Sequence, residues 1–362
     1  MIVGAISIVV PMRDEREHVD RLVASIAAQD FRGEVEMLVA DGGSTDGSPE
    51  RLRDEAERLG VELTLLPNPQ RWVSHGLNIA IARARGDLIV RMDCHAAYPS
   101  DYLSRLAAAA EETGAWNVGG VVAPEGRTPT ERAVACAMDS PFGGIGWTRS
   151  AARNGRSEVD TVTFGAFRPE AFRHAGLFDE SLLRNQDDEL NLRLRRAGGR
   201  IVLDPAITVG YTPRGSYRKV LRQYYEYGLW KVPVMRKHRQ VLSARSLAPL
   251  GLVASTSLLA VLAPVSRAAR RALTAELGLY GSLAALAAAA SVRRRGEPPT
   301  LLPRVAAAFP AFHLGYGAGT AAGLLRAALR RAGPPRPAPT ARDEPSVGGE
   351  PSPVGEGPAS AA

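Results

Sequence analysis

Four short apolar runs, rich in β-branched residues, lie at 5–10, 36–40, 62–66 and 87–92, separated by stretches whose apolar positions recur with a period near 3.6. That alternation predicts βαβ units. Right-handed crossovers between parallel strands cover a sheet on both faces and leave a ligand crevice beyond the carboxyl ends of the strands. Those ends carry the polar segments 11–15, 41–48 and 93–95, so three clusters are expected to converge on one rim. The expected fold class is α/β, a mostly parallel, Rossmann-like sheet flanked by helices.

Beyond residue 100 the pattern mixes. Helices are predicted over 101–112 and 187–197, the second closed by Gly198 and Gly199, and strands over 118–122, 160–164 and 200–203. An aromatic and basic stretch, 211–239, precedes a change of composition, after which apolar segments follow at 247–265, 273–292 and 301–325. The first two approach the roughly 20 residues that a membrane-spanning helix needs, and the third is interrupted by Arg304, Pro310 and His313. Arg236, Lys237, Arg239 and Arg245 before the first segment and Arg293 to Arg295 after the second suit cytoplasmic flanks. Arg267, Arg270 and Arg271 in the intervening connection oppose three full spans and favour a re-entrant or interfacial segment. A small helical bundle packed on the α/β part is the alternative. The expected division is a catalytic domain over 1–235, a helical membrane-associated region over 236–331, and a disordered Pro/Gly/Ala-rich tail over 332–362.

Composition refines this picture. A chain of 362 residues with 45% hydrophobic content is no disordered polymer. Its two cysteines, Cys94 and Cys136, make no disulfide framework. A formal net charge of +7 admits nucleic acid, anionic lipid or a phosphorylated substrate as partner. The stretch 214–245 interleaves Tyr217, Tyr224, Tyr225, Tyr227 and Trp230 with basic residues, as a single-strand binder does. It runs straight into an apolar segment, however, so a juxtamembrane element resting on anionic headgroups is expected, and nucleic acid is not. The apolar start meets Arg13, Asp14, Glu15 and Arg16 without a cleavage pattern, which places the catalytic part on the cytoplasmic side of the inner or plasma membrane.

The candidate chemistry sits in four clusters. Pro11 to Glu15 ends the first strand; taken alone, it reads as an ordinary βα loop. Asp41 to Ser48 follows the second strand, where glycines let the backbone approach a ligand and Asp41 can accept hydrogen bonds from a base or ribose. Asp93 and His95 end the fourth; in an extended segment both would face one divalent cation, Mn²⁺ or Mg²⁺. Asp187, Asp188 and Glu189 open a helix, where they complement its dipole or present a general base to a cleft.

These clusters, in this order, resemble the family 2 glycosyltransferases of the GT-A fold, and among them the subgroup that builds exopolysaccharides such as succinoglycan. The likeness extends over residues 5–230. It implies nucleotide-sugar binding by Pro11, Arg13, Glu15, Asp41, Gly43, Ser44 and Asp93, with Asp41 on the base or ribose. Asp93 and His95 match the family's Asp-x-Asp metal motif, with histidine in place of the last aspartate. Asp187 matches the base, Gln186 replaces the usual glutamate, and Asp188 or Glu189 is the candidate to share the acid's duty. Gly165 lies in the acceptor-side stretch, and Gln223 and Trp230 in the segment bordering the active site. The resemblance implies an inverting hexosyltransferase that uses a nucleotide-sugar, expected to be a UDP-sugar, and a lipid-linked saccharide acceptor. A divalent cation, assisted by Arg91 or Arg222, would offset the departing diphosphate's charge. The alternatives are a polyprenyl-phosphate glycosyltransferase and an inactive nucleotide-binding scaffold.

Overall fold

A computed structural model of the chain describes residues 2–143, 155–239 and 247–330. The tail expected to be disordered, 332–362, lies outside the described residues. Alternating strands and helices fill the first part: β1 (Ala5–Met12), α1 (Arg16–Ala27), β2 (Glu34–Asp41), α2 (Ser48–Leu59), β3 (Leu63–Pro67), α3 (Val73–Ile81), β4 (Leu88–Arg91) and α4 (Tyr102–Thr113). β5 (Asn117–Pro124), α5 (Pro129–Met138), β6 (Ser157–Glu158), β7 (Ala166–Phe167), α6 (Pro169–Ala175), α7 (Gln186–Arg196), β8 (Ile201–Tyr211) and α8 (Tyr217–His238) follow. Three helices close the described chain: α9 (Ala248–Leu262), α10 (Arg267–Arg295) and α11 (Leu302–Arg330).

The strands form one eight-stranded sheet in the order β3-β2-β1-β4-β7-β5-β8-β6. β1 pairs in parallel with β2 and β4, β2 with β3, and β5 with β8; β7 runs antiparallel between β4 and β5, and β6 antiparallel to β8. In β1, Ile8, Val9 and Val10 are sealed on both faces, as a central parallel strand requires. Buried Ser7 donates to Glu36 Oε1 and accepts from the amides of Arg85 and Gly86, tying β1 to β2 and to the approach of β4. α1 is helical because Val19, Leu22, Val23 and Ile26 recur at i, i+3, i+4 and i+7 and bury that stripe on the sheet.

Register decides where the strands end. Met12 lies opposite Asp41, Asp41 opposite Pro67, and Val9 opposite Arg91, so the carboxyl ends of β1 to β4 form a common rim. The strand expected over 160–164 does not form. Phe164 has a left-handed backbone (φ 54°), and a Cβ on Gly165 would collide with the Asn117 side chain; strand pairing resumes at Ala166. No hydrophobic periodicity reports such a constraint, because the close approach is to β5, some fifty residues earlier.

The C-terminal helices are organised differently. α11 packs on α8 from Leu221 to Val232 through Gly315, Gly319 and Gly323, one residue every fourth position. A Cβ on Gly319 would collide with the Tyr225 carbonyl, and Gly228 makes the reciprocal approach to Tyr316 and Thr320. α10 buries Ala284, Ala288 and Val292 in a cluster with Ala133, Val134 and Ala137 of α5, and Arg295 pairs with Asp139. The composition change near residue 236 falls inside α8, which runs on to His238.

α9, of 15 residues, is about 22 Å long, short of a bilayer's hydrocarbon thickness of about 30 Å. α10, of 29 residues, is long and apolar enough to cross a membrane, and most of that stretch is uncovered. Leu258, Val261, Leu262, Val265, Leu279 and Leu286 stand in the open on α9, on α10 and between them.

Candidate active site

The loops after β1 and β2 are knitted together. Asp41, at the end of β2, accepts from the amides of Gly43 and Ser44 and from Ser44 Oγ at 2.6 Å. Ser44 Oγ in turn accepts from the Asp14 amide at 2.8 Å, and Asp14 Oδ1 accepts from the Thr45 amide. Asp14 has φ 52° and Gly43 φ 75°, so both turns use the left-handed region, and their amides are tied to each other's side chains. Arg13 lies over Gly42, and Pro11 pairs opposite Ala40 beneath the loops. Ser48, at the start of α2, accepts from the Glu15 amide and donates to Asp46. Arg71, which the sequence reading passed over, reaches the loop after β2 from the β3–α3 loop. It is exposed, with φ 66°, and its guanidinium lies over Gly43.

Glu15 leads from these loops to the fourth strand. Its carboxylate is buried, with Oε1 3.7 Å from His95 Nδ1 and Oε2 3.8 Å from His18 Nε2. The segment 93–95 departs from the extended geometry expected of it: the Ala96 amide donates to the Asp93 carbonyl, closing a turn. The alternation of an extended strand therefore does not relate Asp93 to His95; the two carry charges that act on each other across the turn. The Asp93 amide instead accepts its place from Tyr98, donating to Tyr98 Oη at 2.7 Å, and His95 turns toward Glu15.

Arg91 joins Asp93 to Asp187. Arg91 is only 6% exposed; Nε and Nη2 donate to the two oxygens of Asp93 at 3.1 and 3.3 Å, and Nη1 donates to both oxygens of Asp187 at 2.7 and 2.8 Å. Its amide donates to the Gly165 carbonyl, which puts Gly165 directly behind this centre. Arg91 thus differs from the diphosphate-facing role expected of it, because its donors are spent on carboxylates. Burial raises the pKa of Asp187, helped by Asp93 and Asp188 and opposed by Arg91. Burial also pushes Asp93 upward, but Arg91 and His95 overcome it and hold Asp93 below the usual carboxylate range.

The first turn of α7 is presented by Asn185, whose φ of 62° marks a strained entry of the kind that functional sites hold. α8 braces this turn. Asn185 Nδ2 donates to the Tyr227 carbonyl, Arg184 pairs with Glu226, and Lys231 Nζ lies 2.5 Å from Asp188. Asp188 is therefore committed to a clamp with Lys231. Gln223 donates to Tyr211 and Tyr227, one link from Asn185, whereas Trp230 is half-buried further along α8. Arg222 is largely exposed and pairs with Glu226. Three linked groups thus occupy the rim: Asp41 with Asp14 through Ser44, Glu15 with His95, and Asp93 with Asp187 through Arg91.

The residues present fit a divalent cation in a limited way. Glu15 Oε2 and His95 Nδ1 are buried without a hydrogen-bond partner, and Asp93 keeps lone pairs beyond its long contacts to Arg91. Among the described residues no three His, Cys, Asp or Glu groups converge as a metal site. Such a donor set suits a cation that takes one or two ligands from the protein and the rest from phosphates and water.

This sheet, with its antiparallel β7 and its rim of nucleotide-type loops, is the GT-A architecture of glycosyltransferases. A solved mannosyltransferase of Pyrobaculum calidifontis, in complex with GDP-Man and Mn²⁺, superposes with a TM-score of 0.62 at 20% identity, covering 90% of this chain and 88% of that one. The chain belongs to glycosyl transferase family 2, whose model matches residues 7–176. It is 33% identical over 270 residues to the succinoglycan biosynthesis protein ExoA of Rhizobium meliloti, which covers 70% of this chain and 78% of that protein. It is also 26% identical over 240 residues, 64% of this chain and 74% of the relative, to a dolichyl N-acetyl-alpha-D-glucosaminyl phosphate glycosyltransferase of Methanococcus voltae. The protein is a glycosyltransferase.

Proposed function

We propose that this glycosyltransferase inverts configuration, moving a sugar from a nucleotide-sugar, a UDP-sugar in the first instance, to a hydroxyl of a lipid-linked saccharide during exopolysaccharide or envelope glycan synthesis. The reading rests on one observation above the others: Asp187, half-buried with a raised pKa, is held beside Asp93 at the sheet rim by Arg91. In the transfer, the acceptor oxygen bonds to the anomeric carbon as the carbon–phosphate oxygen bond breaks. The bonding pair leaves with the diphosphate, and the acceptor's proton passes to Asp187. Asp41, Gly43, Ser44, Arg13, Pro11 and Glu15 hold the nucleotide, and Gly165, Gln223 and Trp230 border the acceptor side. Mn²⁺ or Mg²⁺, held by Asp93 and His95, would supply Lewis-acid neutralisation of the departing diphosphate. The uncovered leucines of α9 and α10 favour membrane association, with the acceptor delivered from the lipid.

The name of another relative, an undecaprenyl-phosphate 4-deoxy-4-formamido-L-arabinose transferase of Edwardsiella ictaluri that is 30% identical over 110 residues, keeps a second reading in play, transfer onto a polyprenyl phosphate. Incubation of the full chain in detergent with UDP- and GDP-sugars, Mn²⁺ and either lipid-linked saccharide or polyprenyl phosphate separates the two by mass analysis of the lipid. Asp187→Asn is expected to lower transfer to a hydroxyl by about 10²- to 10⁴-fold; transfer to an already anionic phosphate would survive it. Near-normal transfer to a hydroxyl by this variant would remove Asp187 from the base role.

A further inference from the structure

Arg91 uses its guanidinium in a way that no simple salt bridge needs. The Nε/Nη2 edge forks onto Asp93, and the Nη1 tip spans Asp187 from the other side. These carboxylates are 94 positions apart by their numbers, one just beyond β4 and the other in the first turn of α7. The anchor is rigid at its base: the Arg91 amide is tied to the Gly165 carbonyl, and the Arg91 side chain is 8% exposed. A planar guanidinium can serve two carboxylates at once, whereas an ammonium on a flexible stem offers no such fork.

We propose that Arg91 is a positioning residue that sets the separation and orientation of the donor-side carboxylate, Asp93, and the acceptor-side base, Asp187, as one unit. The proposal rests on the function assigned above to these two aspartates. It carries a consequence for the cation. Because the fork occupies both oxygens of Asp93, a divalent ion arriving without nucleotide competes with Arg91 for that carboxylate. Loss of the guanidinium therefore acts in opposite directions on ion binding and on turnover.

The experiment uses the full chain in detergent. Mn²⁺ binding is read without nucleotide by electron paramagnetic resonance of the free ion, and transfer is read in parallel, for wild type, Arg91→Gln, Arg91→Lys, Asp187→Asn and the double variant Arg91→Lys with Asp187→Asn. Arg91→Gln is expected to bind Mn²⁺ as tightly as wild type or more tightly, while kcat falls at least about 100-fold, the scale of a misplaced catalytic group. Arg91→Lys should not restore kcat, and in the Asp187→Asn background it should cost less than about threefold more, since the two residues act as a unit.

Turnover of Arg91→Lys within about fivefold of wild type would overturn the proposal, as would Mn²⁺ binding that weakens together with turnover, the mark of a merely structural prop. If the Gln variant does not fold, the Lys variant, which keeps the buried positive charge, carries the test. A wild type that transfers no sugar would defeat the proposed function instead, and the Mn²⁺ arm would still report on the hold of Arg91 upon Asp93.

Discussion

In the sheet half of the molecule Ile8, Val9 and Val10 are sealed on both faces and charged side chains gather at one edge; in the C-terminal helices glycine and alanine face inward while leucine faces out. The first arrangement is that of a core hidden from water, with polar groups collected where strands end and helices begin. The second inverts it. Between α8 and α11 several contacts are backbone to backbone, as at Gly319 against Tyr225, and although Phe309 and Phe312 are buried, the leucines of α9 and α10 are left for the surroundings. Small residues at helix crossings and apolar residues outside are what packing in a lipid solvent selects. α8 belongs to both regions, since one of its faces clamps the α7 turn that carries Asp187 and another takes the glycines of α11.

The largest effect expected from the contrast is at the rim. Asp187→Asn should lower transfer by about 10²- to 10⁴-fold, the usual worth of a general base, with nucleotide affinity little changed; calorimetry beside a transfer assay checks both. Normal turnover would separate the chemistry from the sheet edge.

Next comes the brace between α7 and α8. Glu189 is fully buried and meets Arg193, Lys237 and His238. Burial pushes its pKa up, but these partners overcome that and leave it lowered. A depressed folded-state pKa means that the stabilisation is present above the unfolded carboxylate's pKa of about 4.3 and is lost as pH falls through the folded value. Glu189→Gln should cost about 3 kcal/mol at pH 7, because it removes the fully buried carboxylate that Arg193, Lys237 and His238 share, and should cost progressively less below pH 4; denaturant unfolding at a series of pH values reads this.

A smaller loss is expected where the two regions meet. Gly319→Leu must displace the Tyr225 carbonyl, and overpacking of this sort costs about 1 to 3 kcal/mol. Thermal unfolding in detergent measures it, and turnover should fall with it because α8 carries the strain to Asn185. Unchanged turnover would make the regions independent.

Least of all should Leu258→Asp with Val261→Asp disturb the fold, since both side chains are already open. In detergent the melting temperature should stay put, while flotation with vesicles should decrease. Undiminished flotation would show that the outward leucines do not meet lipid.

How much could be read beforehand follows from the range of each interaction. The alternation over residues 5–92 placed β1 to β4 and their polar ends, because strand and helix periods are local and the crossover rule is general. Asp93 and Asp187 could be named as acids near strand and helix ends. That Arg91 holds both of them could not, since 96 positions separate Arg91 from Asp187 and no local pattern encodes the contact. The turn at 93–96, the failed strand at 160–164 and the commitment of Asp188 to Lys231 were hidden for the same reason. Arg71 had a faint signal, a lone cation in a turn-rich loop just before α3.

By itself the sequence determined the class of fold, the edge at which chemistry is possible and the apolar character of the last helices, all consequences of periodicity and composition. Only the tertiary structure decided which carboxylate pairs with which cation, and that α8 is shared between the α7 turn that carries Asp187 and a glycine-lined helix. Those choices depend on buried contacts between distant residues, whose energies arise from desolvation and from close approach once the chain has closed on itself.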